Sequence, residues 1–179
     1  MLTPVSSRSL ISISLLIAIT TTISPGQASR DYPEPKGYVN DFANVIAIDT
    51  RDRLSALCAE LDQKTHAQVA IVTIETLHGA SLEHYATSLF NKWGIGHKDD
   101  NRGILILLSL SDRKFRIEIG RGFEALFPNE RVAKIVAEMN PDLRQQHYGQ
   151  AVLRCTRSLA TIVAQERGVK LEALNSCSP

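Results

Sequence analysis

Two adjacent aspartates stand directly before a strongly hydrophobic run of the chain. Asp99 and Asp100 are followed by Asn101, Arg102 and a glycine, and then by the apolar residues 104–108. Carboxylate and amide oxygens are ligands that suit Ca²⁺, or Mg²⁺ where the geometry is tight. Clustered acids can also perform acid–base chemistry if their environments separate their pKa values. Because aspartate and asparagine are also common in plain turns, a loop that only starts a strand is the alternative interpretation.

The predicted strands decide what lies beside this acidic turn, which we define as residues 99–102. Residues 69–72 and 104–108 are continuous apolar runs, typical of strands covered on both faces, and a helix lies between them. Such a succession forms a right-handed parallel unit. Residues 115–119 then alternate between apolar and polar, which predicts a third strand that returns antiparallel. Its exit, residues 120–124, is therefore expected beside the acidic turn.

The exit of the third strand adds Arg121 and Glu124 to this neighbourhood. The two glycines around Arg121 permit a close backbone approach to a ligand. Glu124 would supply a third carboxylate. Arg102 and Arg121 would either neutralise the acids or pair with a phosphate group.

Four helices complete the predicted fold. Apolar residues at the i, i+3, i+4, i+7 spacing mark each of them. Asp49 or Thr50 is expected to cap the first helix, and Pro141 is expected to end the third. The helices cover approximately residues 50–61, 82–93, 132–140 and 148–167. The sequence thus predicts an α/β fold in which a small mixed sheet, a parallel crossover plus an antiparallel hairpin strand, packs between helices.

The amino terminus has the pattern of a secretory signal. Arg8 precedes the mostly apolar residues 10–23, and small residues around Ala28 resemble a cleavage site. The apolar stretch is shorter than the about 20 residues needed to cross a bilayer. We therefore expect cleavage near Ala28 and a periplasmic or secreted protein without a transmembrane anchor.

Cleavage would leave 151 of the 179 residues, the size of one ordinary domain. We predict a linker over residues 29–37, one domain over residues 38–168 and a short tail over residues 169–179. Removing residues 1–28 takes away Arg8, one of 20 basic residues, and none of the 19 acidic ones. The remaining balance of 19 to 19 argues against nucleic acid as a partner, because such binding needs concentrated positive charge.

Three cysteines leave at least one without a disulfide partner. Cys58 and Cys155 fall on apolar faces of predicted helices, whereas Cys177 lies in the tail. In an exported protein a bridge between Cys58 and Cys155 is one interpretation. The other interpretation is that both cysteines are small buried hydrophobic side chains.

Common catalytic and cofactor motifs do not occur in this sequence. There is no P-loop, no G-x-G-x-x-G, no G-x-S-x-G, no H-E-x-x-H and no complete EF-hand loop. We therefore expect no nucleotide cofactor. If the protein is an enzyme, its chemistry has to come from the acidic turn and the arginines near it.

Five segments follow one another along the chain: YVNDFANVI (38–46), QVAIVTI (68–74), WGIG (93–96), DNRGILILL (100–108) and RIEIGRGFE (116–124). In this order and spacing they resemble the TPM domain family, and the likeness runs from about residue 38 to residue 168. The family includes photosystem repair proteins of the thylakoid lumen and many exported bacterial proteins. The resemblance implies an α/β sandwich. It also implies either calcium binding with acid phosphatase activity or a role in assembling or repairing membrane complexes.

Carried over by position, the resemblance implies acidic ligands at Asp41, Asp100 and Glu124, with Asp99 beside them. The bound ion would be Ca²⁺ or Mg²⁺. Two positions where the family often has aspartate hold Asn129 and His147 here, which lowers the negative charge available to a hard cation. Many bacterial relatives continue into a transmembrane helix, and this chain does not.

Three functions follow as hypotheses. The first is an exported accessory protein that supports the assembly, repair or maintenance of an envelope or membrane protein complex, with or without a bound divalent cation. The second is a metal-dependent acid phosphatase in which Arg102 or Arg121 pairs with the phosphate. The third is a non-catalytic module that binds peptides or proteins. In the phosphatase hypothesis Asp41 has to reach the acidic turn, which requires residues 42–48 to run back along the sheet edge.

Overall fold

Four strands form one mixed sheet with helices on both faces. The computed structural model describes residues 32–176, which belong to one compact unit. The order in the sheet is β1-β2-β3-β4; β1, β2 and β3 are parallel, and β4 is antiparallel to β3. The strands are β1 (Val39–Asp41), β2 (Gln68–Ile74), β3 (Gly103–Ser109) and β4 (Lys114–Ile119). This architecture confirms the predicted α/β fold class, while the predicted signal segment and Cys177 lie outside the described residues.

Within residues 32–176, five α-helices and one short 3-10 turn connect and cover the strands. They are α1 (Ile48–Thr65), α2 (Leu82–Trp93), the 3-10 turn (Arg121–Phe123), α3 (Asn129–Arg144), α4 (Tyr148–Arg167) and α5 (Ala173–Ser176). Ser81 caps α2 by accepting a hydrogen bond from the His84 backbone N–H at 3.1 Å. The left-handed Gly94 ends the same helix, as the sequence predicted.

Two local predictions were wrong. Pro141 does not end α3, which continues to Arg144. Only the last turn follows the proline, and the Gln145 N–H satisfies the carbonyl oxygens of Pro141 and Asp142, at 3.3 and 3.2 Å. Neither Asp49 nor Thr50 caps α1, which begins one residue before Asp49 with no side-chain cap. The predicted tail contains α5.

The strand β1 was not foreseen. It has three residues, too few to show any periodicity. Its place in the sheet comes from parallel pairing with β2, in which Val39 lies opposite Ile71 and Asp41 opposite Thr73. Such pairing is a long-range contact that a short local pattern does not reveal.

The two faces of the sheet are covered differently. Val69 and Ile71 of β2 point into a core formed with α1, α3 and α4, whereas Ala70 and Val72 point towards α2. All seven residues of β3 are buried. This explains why the run after the acidic turn is continuously apolar, since both of its faces meet side chains.

Residues 32–37 contain no helix or strand and are held against α2. The Tyr32 ring packs edge-on against Tyr85, with 4.9 Å between the centroids. The Trp93 indole N–H donates to the Pro33 carbonyl at 2.9 Å. Within residues 32–176, no helix is both long and apolar enough to cross a membrane.

Two glycines let the exit of β4 pack backbone against backbone on the acidic turn. The Gly120 N–H donates to the Gly103 carbonyl at 2.8 Å, and the Gly122 N–H donates to the Asn101 carbonyl at 3.2 Å. A Cβ at Gly122 would overlap the carbonyl oxygen of Asp100, and one at Gly120 would overlap that of Asn101. Glycine is therefore required at both positions by the close approach of the two segments.

We expect Gly122→Ala to destabilise the protein by about 1–3 kcal/mol, because rigid backbone would have to move to make room for the methyl group. Gly149→Ala is the matched control. A Cβ there meets nothing closer than 3.6 Å, and alanine favours the helix by up to about 1 kcal/mol. Urea unfolding of the three proteins measures both effects. Equal stability of the Gly122→Ala variant and the unaltered protein would contradict the required close approach.

Candidate functional site

The acidic turn and the exit of β4 meet at the amino edge of the parallel strands, as the topology predicted. Asp100 is half-buried, and its carboxylate accepts a hydrogen bond from the Arg102 backbone N–H at 3.0 Å. Asp99, Arg121 and Glu124 are exposed. The Asp100 carboxylate thus stabilises the turn, and the other three side chains point charge towards solvent at the same edge.

Arg102 is not available to a ligand. Its side chain is buried, with only 8% of the residue exposed. One guanidinium nitrogen donates to the Glu166 carboxylate at 2.8 Å, and the guanidinium carbon lies 4.4 Å from the centre of the Phe123 ring. The hydrogen bond from Arg102 holds the pKa of Glu166 below its ordinary value. Arg102 therefore ties the acidic turn to α4 and to the 3-10 turn, and a phosphate would have to displace Glu166 to reach it.

Asp41 lies at the opposite edge of the sheet and does not join the other predicted ligands. It ends β1 opposite Thr73, whereas the acidic turn precedes Gly103, which lies opposite Gln68. Five residues of β2 separate the two levels, roughly 16 Å at about 3.3 Å per residue. Residues 42–48 do not run back along the edge, because α1 starts at the carboxyl end.

The Asp41 carboxylate stabilises the loop after β1. It accepts hydrogen bonds from the backbone N–H groups of Val45 at 3.1 Å and Ile46 at 2.9 Å, and from the Thr73 hydroxyl at 2.5 Å. The proposed metal set of Asp41, Asp99, Asp100 and Glu124 is therefore divided between two edges. Across residues 32–176, no three His, Cys, Asp or Glu side chains are grouped so that they could hold a metal ion.

A second polar cluster at the amino edge was not predicted from the sequence. The His97 imidazole lies 2.8 Å from one oxygen of the Asp62 carboxylate, and the Tyr38 hydroxyl donates to the other oxygen at 2.9 Å. The His66 ring lies edge-on to His97, with 5.5 Å between the centroids. These residues come from the start of β1, the last turns of α1 and the loop after α2, so no local motif joins them.

The environment of this cluster raises the pKa of two of its members, His97 and Tyr38. The hydrogen bond to Asp62 raises the pKa of His97, and Asp100 and Asp99 add to the effect as nearby negative charges. Burial, together with the hydrogen bond to Asp62, raises the pKa of Tyr38 to about 12. An imidazole backed by a carboxylate can accept and return a proton. Here the same contact also fixes the loop that leads into the acidic turn.

The two cysteines in the described part of the domain are buried thiols that no disulfide joins. Both belong to the core between the sheet and the helices α1, α3 and α4. Burial raises the pKa of the Cys155 thiol, which keeps it protonated. Of the two interpretations of Cys58 and Cys155, the structure has the small buried side chains and not the bridge.

A large concave surface lies away from the predicted site residues, on the outer side of three helices. A groove of about 1020 Å³ is lined by residues of α1, α3 and α4. Basic side chains dominate its charged lining, and isoleucine and leucine side chains contribute apolar surface. No sequence motif marks this groove, because its lining comes from three separate helices.

We expect the His97–Asp62 contact to stabilise the fold at low pH and to be lost at high pH. The pKa of His97 is raised in the folded state, so the contribution is complete below the ordinary histidine pKa of about 6.5 and disappears as pH rises through the higher folded value. The His97 side chain is 40% exposed, so solvent screening limits the coupling to about 1 kcal/mol or less.

A double-mutant cycle with His97→Gln and Asp62→Asn, followed by thermal unfolding between acid and alkaline pH, measures this coupling. The Asp62→Asn substitution also alters the hydrogen bond from the Tyr38 hydroxyl. Because it does so in both backgrounds of the cycle, this effect cancels from the coupling energy. A coupling that grows with rising pH would show that the assigned sign is wrong.

Comparison with solved structures supports the fold. The N-terminal domain of a P. gingivalis protein is similar with a TM-score of 0.69 and 21% identity, over 75% of this chain and 87% of that one. The N-terminal domain of the cg2496 protein of Corynebacterium glutamicum has a TM-score of 0.56 and 13% identity, over 74% and 84%. The BA42 protein of Bizionia argentinensis has a TM-score of 0.59 and 12% identity, over 67% and 82%.

At these identities the similarity extends to the fold alone. A search of curated proteins found no match. The sequence model of the TPM domain matches residues 39–162, more than half of the chain. This match covers all four strands and most of α4, and it contains the segments that carried the resemblance. The chain therefore belongs to the TPM domain family.

Proposed function

We propose that this protein is an exported accessory protein that supports the assembly, repair or maintenance of an envelope or membrane protein complex by binding one of its subunits. The observation that carries the proposal is the groove on α1, α3 and α4, whose volume of about 1020 Å³ is large enough to receive several side chains of a partner. Family membership supports it as well, since the resemblance implies relatives with such roles.

The predicted signal segment supports a location outside the cytoplasm. An exported domain would reach a membrane complex from the periplasmic or outer side, by binding to a protein. The polar residues of the amino edge would then serve mainly to hold the fold, as Arg102 and Asp100 do through Glu166 and the turn. A bound cation at this edge would be an addition to that role.

Site-specific photocrosslinking in the source cells tests the accessory role. A photoreactive amino acid replaces Thr161, which lines the groove, and in a matched control it replaces the exposed Lys98 in the loop after α2. We expect crosslinks from position 161 to subunits of one membrane complex, and none from position 98. Equal crosslinking from both positions, or none from position 161, would contradict the proposal.

A divalent-metal-dependent acid phosphatase is the second candidate function. The observation that favours it is the convergence of the acidic turn and the exit of β4, which places Asp99, Asp100, Glu124 and Arg121 at one edge. No three acidic side chains among residues 32–176 are grouped to hold a metal ion in this structure, so these carboxylates would have to move together to bind Ca²⁺ or Mg²⁺. The ion would then polarise a phosphate oxygen, and Arg121 would pair with the phosphate. Asp41 lies at the other edge and Arg102 is bound to Glu166, so neither has a role in this version of the site.

Calcium titration by calorimetry, followed by turnover of p-nitrophenyl phosphate, tests the second candidate. Asp100→Asn is the suitable variant, because its amide oxygen can still accept the hydrogen bond from Arg102 while the charge is lost. If the site exists, the variant should bind calcium at least about tenfold more weakly and lose turnover. Glu83→Ala, an exposed acid on α2, is the control and should change neither property. Turnover that persists in Asp100→Asn would exclude this site.

A further inference from the structure

The groove collects positive charge that the composition of the chain does not suggest. Five basic side chains line it, against one carboxylate, that of Glu138. The basic residues are Arg53 on α1, Arg131 and Lys134 on α3, and Arg154 and Arg157 on α4. The whole chain has a formal charge of only +1. The groove is therefore strongly basic on a nearly neutral protein.

Only part of this charge is neutralised by the fold. Arg154 pairs with Asp142 at 2.9 Å. Arg131 donates a hydrogen bond to the Leu126 carbonyl, which leaves its positive charge uncompensated. The Glu138 carboxylate accepts a hydrogen bond from Ser158 at 2.8 Å. Even with Arg53, Arg154 and Arg157 left out of the count, Arg131 and Lys134 against Glu138 leave a positive excess on the α3 wall of the groove.

The basic residues form rows along the helices. On α3, Arg131, Lys134 and Glu138 follow the three- and four-residue spacing of one helix face. On α4, Arg154, Arg157 and Thr161 have the same spacing. Because a short connection joins α3 and α4, the two rows run side by side. An extended or helical ligand with regularly spaced negative groups would match this arrangement better than a single small anion.

Apolar side chains lie between the charged rows. Ile135 and Leu153 are almost fully buried, at 3% and 4% exposure, and Ile162 is half-buried. All three line the groove. A ligand that carries both carboxylates and apolar side chains would use the whole surface, whereas a phosphate-rich polymer would use only the charges.

We infer that the groove binds an acidic segment of a partner protein whose carboxylates pair with the basic rows and whose apolar side chains pack on the half-buried Ile162. This inference rests on the proposed function and names the class of partner. Nucleic acid fits less well, since no aromatic residue lines the groove to stack on a base. A flat anionic membrane fits less well too, because the apolar surface lies inside a concavity.

Fluorescence anisotropy with a labelled peptide tests the inference on the full mature chain. The peptide alternates glutamate and leucine; one control peptide has lysine for each glutamate, and a second has serine for each leucine. We expect only the glutamate and leucine peptide to bind well, with binding that weakens as salt screens the charges. Vesicles that contain phosphatidylglycerol probe the membrane alternative in the same assay.

The Lys134→Glu/Arg157→Glu double variant should bind the peptide at least about tenfold more weakly, since like charges would then face each other. Lys98→Glu/Lys170→Glu changes the net charge by the same amount at exposed positions outside the groove lining, and it should bind as the unaltered protein does. Circular dichroism and thermal unfolding establish that both variants are folded.

Four results would overturn the inference: no binding of the acidic peptide, equal loss in both double variants, equal binding of the serine control peptide, or preferential binding to the vesicles. Association of the protein with itself that only the groove variant abolishes would instead make a second copy the occupant, and would overturn it as well. Crosslinking from position 161 to a membrane complex without peptide binding would leave the accessory function standing and this inference refuted. Peptide binding without such crosslinking would support this inference and refute the accessory function.

Discussion

A single buried arginine holds the amino edge of this protein together. The Arg102 guanidinium lies on the Phe123 ring and against the Glu166 carboxylate, so that the start of β3, the 3-10 turn and the end of α4 meet at one side chain. Burying the charge is tolerated because Glu166 compensates it, although the Arg102 Nε has no hydrogen-bond partner among the described residues. The position of Asp99 and Asp100 follows from this contact, since both belong to the turn that Arg102 anchors.

The parallel arrangement of β1, β2 and β3 separates polar groups that the sequence suggested as partners. Asp41 leaves the sheet at the carboxyl edge and stabilises the following loop, while Asp100 enters it at the amino edge. The amino edge instead acquires the cluster of Tyr38, Asp62 and His97, which joins three segments distant in the chain. The polar residues at both edges thus share one task, which is to hold loops in place, and any chemistry at the amino edge depends on the side chains that remain exposed.

Charge shows how far composition and structure can differ. The balance of 19 basic and 19 acidic residues beyond the predicted signal segment argues against partners that need concentrated positive charge. The fold nevertheless concentrates five basic side chains in one groove by packing α4 against both α1 and α3. An average over the chain cannot reveal this, because the electrostatic potential depends on distances between side chains in space. The concave shape and apolar lining of the groove favour a protein segment over a polymer recognised by charge alone.

The sequence by itself determined the α/β class, the strands β2 to β4, the bounds of α2 and α4, and the meeting of the acidic turn with residues 120–124. Each of these follows from local periodicity or from the handedness of a crossover, which are properties of neighbouring residues. Only the tertiary structure decided that the short strand β1 joins the sheet, that Asp41 lies far from Asp100, and that Arg102 is bound to Glu166. It also brought His97 to Asp62 and assembled the basic groove. These features are contacts between residues distant in the chain, and their geometry arises only when the helices and the sheet pack together.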